Sequence, residues 1–360
     1  MIRVAIIIFL IVGMDAVSAF SQRIDSNQNK SVFVATPILF RTPETSWGFG
    51  LGGAYNFYWG ADSIERRPSQ ILFAATYTLE DQLLIHLPFE WFLWKDKIWI
   101  KSDLGFYRYV YPYFGIGNDT QLADKEFYES TFPRVRLSGL YAIRKHLYTG
   151  LSYKFDNFFI SKRASNGILA EEMPIGATGA VISELGIRTV WDSRDQIYYP
   201  KRGSLISLDL FRSSSSIGAT YRYQGFFLDA AKYYSIAKNH ILVGHFQWGM
   251  QFGDVPFFQL LALGGPKFHR GYILGRYRDK RLSLFQAAYR FPIYWRFKME
   301  IFGSYGTVSN EEELPISDGH WSAGAGLRIL VDKENGLHLR VDYARGADQS
   351  GFYITVGEAF

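Results

Sequence analysis

The sequence has 360 residues, no cysteine and a formal net charge of +5. Without cysteine, neither a disulfide framework nor a thiolate metal site is possible, and the scattered basic residues predict no nucleic-acid partner. Aromatic residues make up 18% of the chain and glycine is abundant, which favours a large β-sheet over long helices.

The chain opens with the features of a secretory signal peptide. Arg3 supplies one positive charge, the run 4–12 is apolar, and small residues follow it. The apolar run is too short to span a membrane as a helix. We therefore predict a signal peptide over 1–21, a short polar periplasmic segment over 22–30 and a single membrane domain over 31–360.

Apolar and polar residues alternate along most of the remaining sequence. In the segment 337–343, for example, the odd positions are apolar and the even ones are polar. This period of two is typical of strands with one face toward lipid and the other toward a wet lumen. Such segments predict sixteen strands, at 31–40, 47–59, 69–79, 82–93, 97–113, 132–144, 147–160, 177–192, 203–213, 220–236, 239–253, 281–294, 297–309, 320–331, 337–345 and 351–360.

The lengths of the connections favour a membrane barrel. Outer-membrane barrels have short turns on the periplasmic side and longer loops outside. With a periplasmic N-terminus, the four longest gaps fall together on the outer side, at 114–131, 161–176, 254–280 and 310–319. The sequence therefore predicts an all-β fold, a 16-stranded antiparallel transmembrane β-barrel.

A soluble two-sheet sandwich would show the same alternation. The aromatic residues, however, cluster toward predicted strand ends, as at 91–94 and 107–113. Amphipathic rings at such positions are typical of the girdles at the two membrane interfaces. These clusters favour the membrane barrel over the sandwich.

The longest predicted outer loop contains the motif Gly264-Gly265-Pro266-Lys267-Phe268-His269-Arg270-Gly271-Tyr272. Its glycines permit positive φ, and Arg270 supplies a planar fork of donors that suits carboxylates. The tripeptide Arg270-Gly271-Tyr272 alone is also compatible with a solvated basic turn, because so short a motif occurs often by chance.

Several motifs together resemble the BamA/TamA-like outer-membrane barrel superfamily, also called the bacterial surface-antigen family. The motif around Arg270 is similar to the family's sixth extracellular loop. Residues 42–50 and 113–118 resemble its first and third outer loops, and residues 191–203 resemble its Asp-x-Arg-Asp turn. The end of the chain, 352–360, is similar to the C-terminal targeting strand of outer-membrane proteins.

The resemblance implies that the sixth loop folds inward and that its Arg-Gly-Tyr tip contacts acidic side chains on the inner wall. His269 stands where the family usually has valine or isoleucine. Family members that assemble barrels or secrete partner proteins carry periplasmic POTRA domains, for which the segment 22–30 leaves no room. The resemblance therefore implies a POTRA-less member that works with a separate periplasmic or outer-membrane protein.

Alternation identifies carboxylates that face the lumen and could reach Arg270. Asp342 is opposite in phase to its apolar neighbours, and its strand resembles the family's Leu-Arg-x-Asp-Tyr strand, which makes it the first candidate. Glu300 is the second candidate, because the family's aspartate that follows this position is replaced with serine. Both carboxylates could instead neutralise the basic side chains beside them, Lys298 and Arg340, in a wet lumen.

No catalytic arrangement is evident. The seven histidines are dispersed, and the sequence contains no zinc-protease, nucleophile-elbow or P-loop spacing. Asp192 and Asp195 lie in one turn with Arg194 and Arg202, and we interpret them as turn-stabilising partners rather than as a catalytic acid pair. We therefore predict no enzyme activity, no cofactor and no metal site.

The first and last predicted strands, 31–40 and 351–360, meet at the seam where the barrel closes. Pro37 lacks an amide hydrogen and Gly357 adds backbone freedom, so the seam marked by Pro37, Gly357 and Phe360 is predicted to be weak. If Pro37 faces away from the ladder, it removes no bond, and this alternative stays open.

The resemblance and the weak seam together predict an insertase or translocase-type barrel in the bacterial outer membrane, which assists the insertion or translocation of proteins or lipids. The implied partners are outer-membrane lipid, including lipopolysaccharide, and client outer-membrane proteins. The alternative is a passive outer-membrane pore or a structural subunit of an outer-membrane complex.

Overall fold

The structure, a computed structural model, describes residues 31–42, 46–57, 59, 69–311, 318–332 and 336–360. The predicted signal peptide over 1–21 and the segment 22–30 lie outside the described residues and stay predictions. In the described part of the chain, no helix is long and apolar enough to cross a membrane.

Within the described residues, seventeen strands form one large antiparallel sheet, and the predicted all-β fold is confirmed. Most strands pair with the next along the chain. β4 and β5 instead share β3 and β6 as neighbours, and β12 pairs with β15 because the hairpin of β13 and β14 lies in the connection between them. The strands are β1 (Val32–Thr42), β2 (Ser46–Phe57), β3 (Ser69–Thr78), β4 (Leu83–His86), β5 (Phe89–Leu93), β6 (Ile98–Tyr113), β7 (Glu126–Arg144), β8 (Leu147–Lys162), β9 (Gly179–Asp192), β10 (Gly203–Ser213), β11 (Tyr223–Ala237), β12 (His240–Gly253), β13 (Leu261–Leu263), β14 (Tyr277–Asp279), β15 (Arg281–Tyr294), β16 (Phe297–Ser309), β17 (His320–Asp332), β18 (Leu337–Gly346) and β19 (Ser350–Val356).

The large sheet has seventeen strands where sixteen were predicted, because the predicted strand 82–93 is divided into β4 and β5. The two pieces lie end to end, and both pair with β3 and with β6. Pro88 stands at the break and has no amide hydrogen to donate to the ladder. Its carbonyl still accepts a hydrogen bond from the amide of Leu72 at 2.8 Å, so the broken strand stays in the sheet.

Strand β10 shows how alternation sorts side chains between the two faces of the sheet. Ile206, Leu208 and Leu210 are exposed on the outer surface. Asp209, which lies between two of them in sequence, points to the other face and pairs with Arg188 of β9 at 3.4 Å. Large exposed apolar side chains recur along the other strands, and a lipid environment is the one that covers them favourably.

Two connections differ from the predicted loops in length or content. Strand β7 begins at Glu126 rather than at 132, because its pairing with β6 continues to Tyr113. This pairing shortens the predicted outer loop 114–131. The connection after β8 contains one short helix, α1 (Ile168–Glu172).

The turn between β9 and β10 is held by the two aspartates that the sequence analysis assigned to it. Asp192 accepts hydrogen bonds from Arg194 Nε and Nη2, each at 2.9 Å. Asp195 Oδ1 accepts from the backbone amides of Lys201 and Arg202 at 2.9 and 3.2 Å. Both carboxylates therefore stabilise the turn.

Strands β1 and β19 are the two ends of the strand series. β1 pairs with β2 along its whole length, and β19 pairs with β18. Among the described residues, no hydrogen-bonded register joins β1 to β19. The prediction that the last strand runs to Phe360 is wrong: it ends at Val356, because Gly357 has a φ of +80° and this left-handed conformation ends the extended backbone.

Candidate functional site: loop 6 and the lumenal ion cluster

Loop 6, residues 254–280, connects β12 to β15 and places its tip against the inner face of the sheet. Gly271 has a φ of +111°, and a Cβ there would lie 3.0 Å from backbone atoms of Arg345 and Gly346. Its amide donates to the hydroxyl of Tyr353 at 3.0 Å. Only glycine combines this backbone conformation with so close an approach to β18, so the motif's glycine seats the tip.

Arg270 lies between two carboxylates of the inner wall. Its Nη1 donates to Glu300 Oε1 at 3.0 Å and to Asp342 Oδ2 at 2.6 Å. Its guanidinium carbon lies 3.2 Å from the ring centroid of Phe302, a cation–π contact. All three charged side chains are at most 1% exposed. The structure thus brings together Arg270, Asp342 and Glu300, the three residues singled out in the sequence.

Further charged residues extend this contact into a larger group. Glu300 also accepts from Arg290 Nε and Arg328 Nη2, each at 2.7 Å. Glu358 lies 3.4 Å from Arg290 and 3.3 Å from Arg328. Asp342 also binds Arg328. With Arg340, these residues form what we call the lumenal ion cluster: Arg270, Arg290, Arg328, Arg340, Glu300, Asp342 and Glu358.

The alternative partners proposed for the two carboxylates behave differently. Arg340 does contact Asp342, with its Nε 3.3 Å from Oδ2. The Nζ of Lys298 instead lies 3.7 Å from the ring centroid of Tyr199. An adjacent basic residue therefore neutralises Asp342 in part, and Arg270 of loop 6 binds the same carboxylate. Lys298 does not neutralise Glu300 in this way.

Strand register explains why the members of the cluster meet. Arg290 lies directly opposite Glu300 in the pair β15–β16. Gly326 of β17 lies opposite Glu300 on one side and opposite Asp342 on the other. Sequence reasoning missed Arg290 and Arg328, because alternation gives the face of a residue but not its partner across the sheet. Their position opposite in phase to apolar neighbours was the only available signal.

Replacing Gly326 with alanine is expected to disturb the cluster. A Cβ at this position would lie 1.8 Å from Asp342 Oδ1 and 2.4 Å from Arg328 Nη1. We expect a destabilisation of about 1–3 kcal/mol, measured by denaturant unfolding in detergent. Gly244→Ala in β12 is the control, since a Cβ there would meet nothing within 4 Å. Equal destabilisation by both variants would contradict this account of Gly326.

Tyr272 and His269 complete the tip of loop 6. The Tyr272 hydroxyl donates to the carbonyl of Trp321 at 3.1 Å and accepts from the amide of Ala347 at 2.9 Å. The His269 ring stacks on the Tyr272 ring at 4.7 Å, and its Nδ1 lies 3.0 Å from Ser304 Oγ. The histidine that departs from the family pattern is therefore accommodated as a buried aromatic partner.

Acidification is expected to release loop 6 through His269. Burial, with a smaller contribution from His320, lowers the pKa of His269 to about 3, below its ordinary value of 6.5. The released loop would bind a proton that the seated loop excludes, so seating is fully favoured above pH 6.5 and weakens as the pH falls toward 3. At pH 5.5 the seating equilibrium should be about tenfold less favourable than at neutral pH.

Protease cleavage within 254–280, followed as a function of pH, measures this release. His269→Val keeps a buried apolar side chain and removes the titrating group, so it should flatten the pH dependence. A pH response that persists unchanged in the valine variant would assign the effect to another group.

The terminal segment, residues 357–360, turns into the lumen. The amide of Gly357 donates to the carbonyl of His338 at 2.9 Å, and Glu358 joins the ion cluster. The ring of Phe360 stacks on the ring of His245 with centroids 4.7 Å apart. The terminal segment is thus held by the same cluster that holds loop 6.

Of the three residues predicted to mark the seam, Pro37 lies on the seam strand itself. It is opposite Leu51 in the register of β1 with β2 and is exposed. Gly357 follows the end of β19, and Phe360 lies in the lumen. The assignment of Phe360 to the seam is therefore wrong, because the left-handed conformation at Gly357 ends β19 and the Phe360 ring stacks on His245 of β12.

A transmembrane sheet with apolar rows on its outer surface, and with a loop held by an arginine on its inner face, defines an outer-membrane β-barrel. The family model of the Omp85 superfamily domain matches residues 112–360. The chain therefore belongs to the Omp85 superfamily. This confirms both the predicted family resemblance and the predicted location of the protein in the bacterial outer membrane.

Solved structures support this assignment at the level of the fold. BamA from Haemophilus ducreyi lacking POTRA domains 1–3 matches with a TM-score of 0.58 and 13% identity, over 91% of this chain and 69% of that one. CdiB from Acinetobacter baumannii matches with a TM-score of 0.54 and 13% identity, over 91% of this chain and 60% of that one. CdiB from Escherichia coli matches with a TM-score of 0.55 and 11% identity, over 92% of this chain and 62% of that one. No curated protein sequence matches the chain.

Proposed function

We propose that this protein is an insertase or translocase-type barrel that acts through the seam between β1 and β19 and catalyses no chemical reaction. Membership in the Omp85 superfamily and the fold shared with BamA and CdiB support this class. The clients are outer-membrane proteins or lipids, and a separate periplasmic or outer-membrane protein delivers them. Outer-membrane lipid, including lipopolysaccharide, surrounds the seam.

The proposal rests on the state of the seam. Other neighbouring strands in the series share a hydrogen-bonded register, whereas none joins β1 to β19 among the described residues. An unpaired edge presents amide and carbonyl groups that template another strand, and in lipid such groups need partners. A client strand that adds to β1 or to β19 would satisfy them.

The inward turn of the terminal segment adds to this effect. β1 has 11 residues, whereas β19 has seven. Even when the two strands approach, the shorter β19 can pair with only part of the length of β1. The ion cluster that holds Glu358 therefore favours an incompletely paired seam.

A disulfide across the seam tests the proposal. Because the native chain has no cysteine, an introduced pair reacts only with itself. Ala35→Cys is combined in turn with Phe352→Cys and Ile354→Cys, and formation of the bond requires Cα atoms within about 7 Å. We expect the locked protein in liposomes to lose its ability to assist insertion of a small urea-unfolded β-barrel, and reductant to restore it.

The control locks a pair that is already joined. Phe33 and Tyr55 face each other in the register of β1 with β2, and both are exposed, so a disulfide there leaves the seam unchanged. Activity should persist in that variant. Full activity of the seam-locked protein would refute the proposed mechanism.

A passive pore is the second candidate, because the lumen contains a polar cavity of about 380 Å³ lined by Lys101, Asp103, Arg136 and Asp209. Small hydrophilic solutes prefer such a charged, wet interior. Single-channel recording separates the two functions: with loop 6 seated, the insertase should be mostly closed, and steady conductance would favour the pore.

A further inference from the structure

An apolar furrow runs along the lipid-facing wall across β8 to β12. It has a volume of about 550 Å³, and its walls include Leu151, Leu185, Ile187, Leu210, Phe226 and Phe252. Leu185, Ile187 and Leu210 are each about half exposed, as outward residues of a membrane strand are. A concave apolar site of this size accommodates acyl chains more closely than the convex wall around it.

The outer end of the furrow changes from apolar to basic. Arg212 follows Leu210 on the same face of β10 and lies opposite Gln224 of β11. Within the described residues, the Arg212 guanidinium has neither a hydrogen-bond partner nor a carboxylate partner. A second cavity of about 240 Å³ adjoins the furrow, and the two share Arg212, Gln224 and Phe252.

Arg222 supplies a second positive charge to this smaller cavity. Its Nε and Nη2 donate to Ser215 Oγ at 3.1 and 2.7 Å, and it makes no ion pair in the described part of the chain. The lining also includes Ser213 and Ser214 but no carboxylate. The cavity thus combines two guanidinium groups with hydroxyl and amide groups and leaves the charge uncompensated.

Some other basic residues near the outer ends of the strands are compensated by carboxylates. Arg108 and Lys162 share Glu129, at 3.3 and 3.1 Å. Arg276 pairs with Asp348 at 3.0 Å. The two arginines beside the furrow therefore differ from these residues in lacking an anionic partner.

We infer that the furrow and the basic cavity together form a binding site for a phosphorylated, multi-acylated glycolipid of the outer leaflet, of the lipid A type. The acyl chains lie in the furrow, and a phosphate binds to Arg212 and Arg222, whose planar donor forks match phosphate oxygens. The sugar hydroxyls bind to Gln224 and Ser214. The site lies at the same end of the barrel as loop 6, and it does not depend on the seam.

Native mass spectrometry of the detergent-purified full chain, titrated with purified diphosphoryl lipid A, tests the inference. We expect a defined complex with the wild type and, because charge-assisted hydrogen bonds are lost, at least about tenfold weaker binding with the double variant Arg212→Ala/Arg222→Ala. Arg108→Ala is the matched control, since it removes an outer arginine that already has a carboxylate partner, and it should bind as the wild type does.

Two further arms separate the phosphate from the acyl chains and the glycolipid from other lipids. Leu210→Trp fills the furrow and keeps both arginines, so it should weaken the binding of lipid A. Dephosphorylated lipid A lacks the phosphates, so its affinity for the wild type should be as low as that of lipid A for the double variant. Heat-dependent gel migration establishes that each variant is folded. Equal binding by the wild type and the double variant, or equal affinity for phosphatidylglycerol and lipid A, would overturn the inference.

Discussion

Replacing Glu300 with glutamine is expected to release loop 6 and to destabilise the barrel, because three buried arginines lose the same carboxylate. Glu300 Oε1 accepts from Arg270 and Arg328, and Oε2 accepts from Arg290. Removing one partner of a buried ion pair costs about 3–5 kcal/mol, since the remaining charge stays buried and unpaired. A loss of this size should appear as an earlier heat-induced unfolding transition in detergent, together with faster proteolysis within 254–280.

Glu129→Gln provides the matched control on the outer surface. Glu129 also binds two cations, Arg108 and Lys162, whose side chains are 40% and 71% exposed. Exposed pairs of this kind contribute about 0–1 kcal/mol, so the control should unfold nearly as the wild type does. If both variants shift the transition equally, the cluster stabilises no more than surface pairs do, and this explanation for the seating of loop 6 is wrong.

The carboxylates should be more sensitive than the arginines to substitution, because the cluster has four positive and three negative members. The excess charge is compensated by neutral acceptors: Arg340 donates to Thr355 Oγ1 at 2.7 Å and to the carbonyl of Pro266 at 2.8 Å. Loss of any carboxylate raises the formal charge of this buried group from +1 to +2. Loss of one arginine instead leaves three positive and three negative members, so that the formal charge of the cluster is zero.

Much of the fold was predictable because strand alternation is a local property. A residue two positions away lies on the same face, so the lumenal placement of Asp342 and Glu300 follows from their apolar neighbours. Arg270 could be connected to them only through the family motif, because nothing in its own loop specifies which wall the loop touches. The contact with Arg328 depends on the register between strands, which no single segment contains.

The terminal segment shows where alternation fails. Continued at period two beyond Val356, the last strand would direct Glu358 and Phe360 to the same face as Phe352, which is 58% exposed on the outer surface. The positive φ at Gly357 breaks the period, and Glu358 enters the lumen instead. A carboxylate in phase with lipid-facing residues was the sequence signal against a continuous strand, because an unpaired charge in lipid is costly.

Replacing Glu358 with lysine is expected to expel the terminal segment from the lumen. The side chain at this position faces Arg290 and Arg328 at 3.4 and 3.3 Å, so lysine removes their partner and adds a like charge. The equilibrium for holding the segment inside should shift by about a hundredfold or more. Phe360→Cys reports the change: its labelling by a water-soluble maleimide should be slow alone and much faster with Glu358→Lys.

Glu358→Gln keeps the shape of the side chain without adding repulsion, and it should give an intermediate labelling rate. Because Arg328 contacts Glu358 and also both carboxylates that hold Arg270, expelling the segment should also accelerate proteolysis of loop 6. This second readout tests whether the cluster couples the loop to the end of β19. Fast labelling with unchanged loop proteolysis would show that the two are held independently, and unchanged labelling would show that the cluster does not hold the segment.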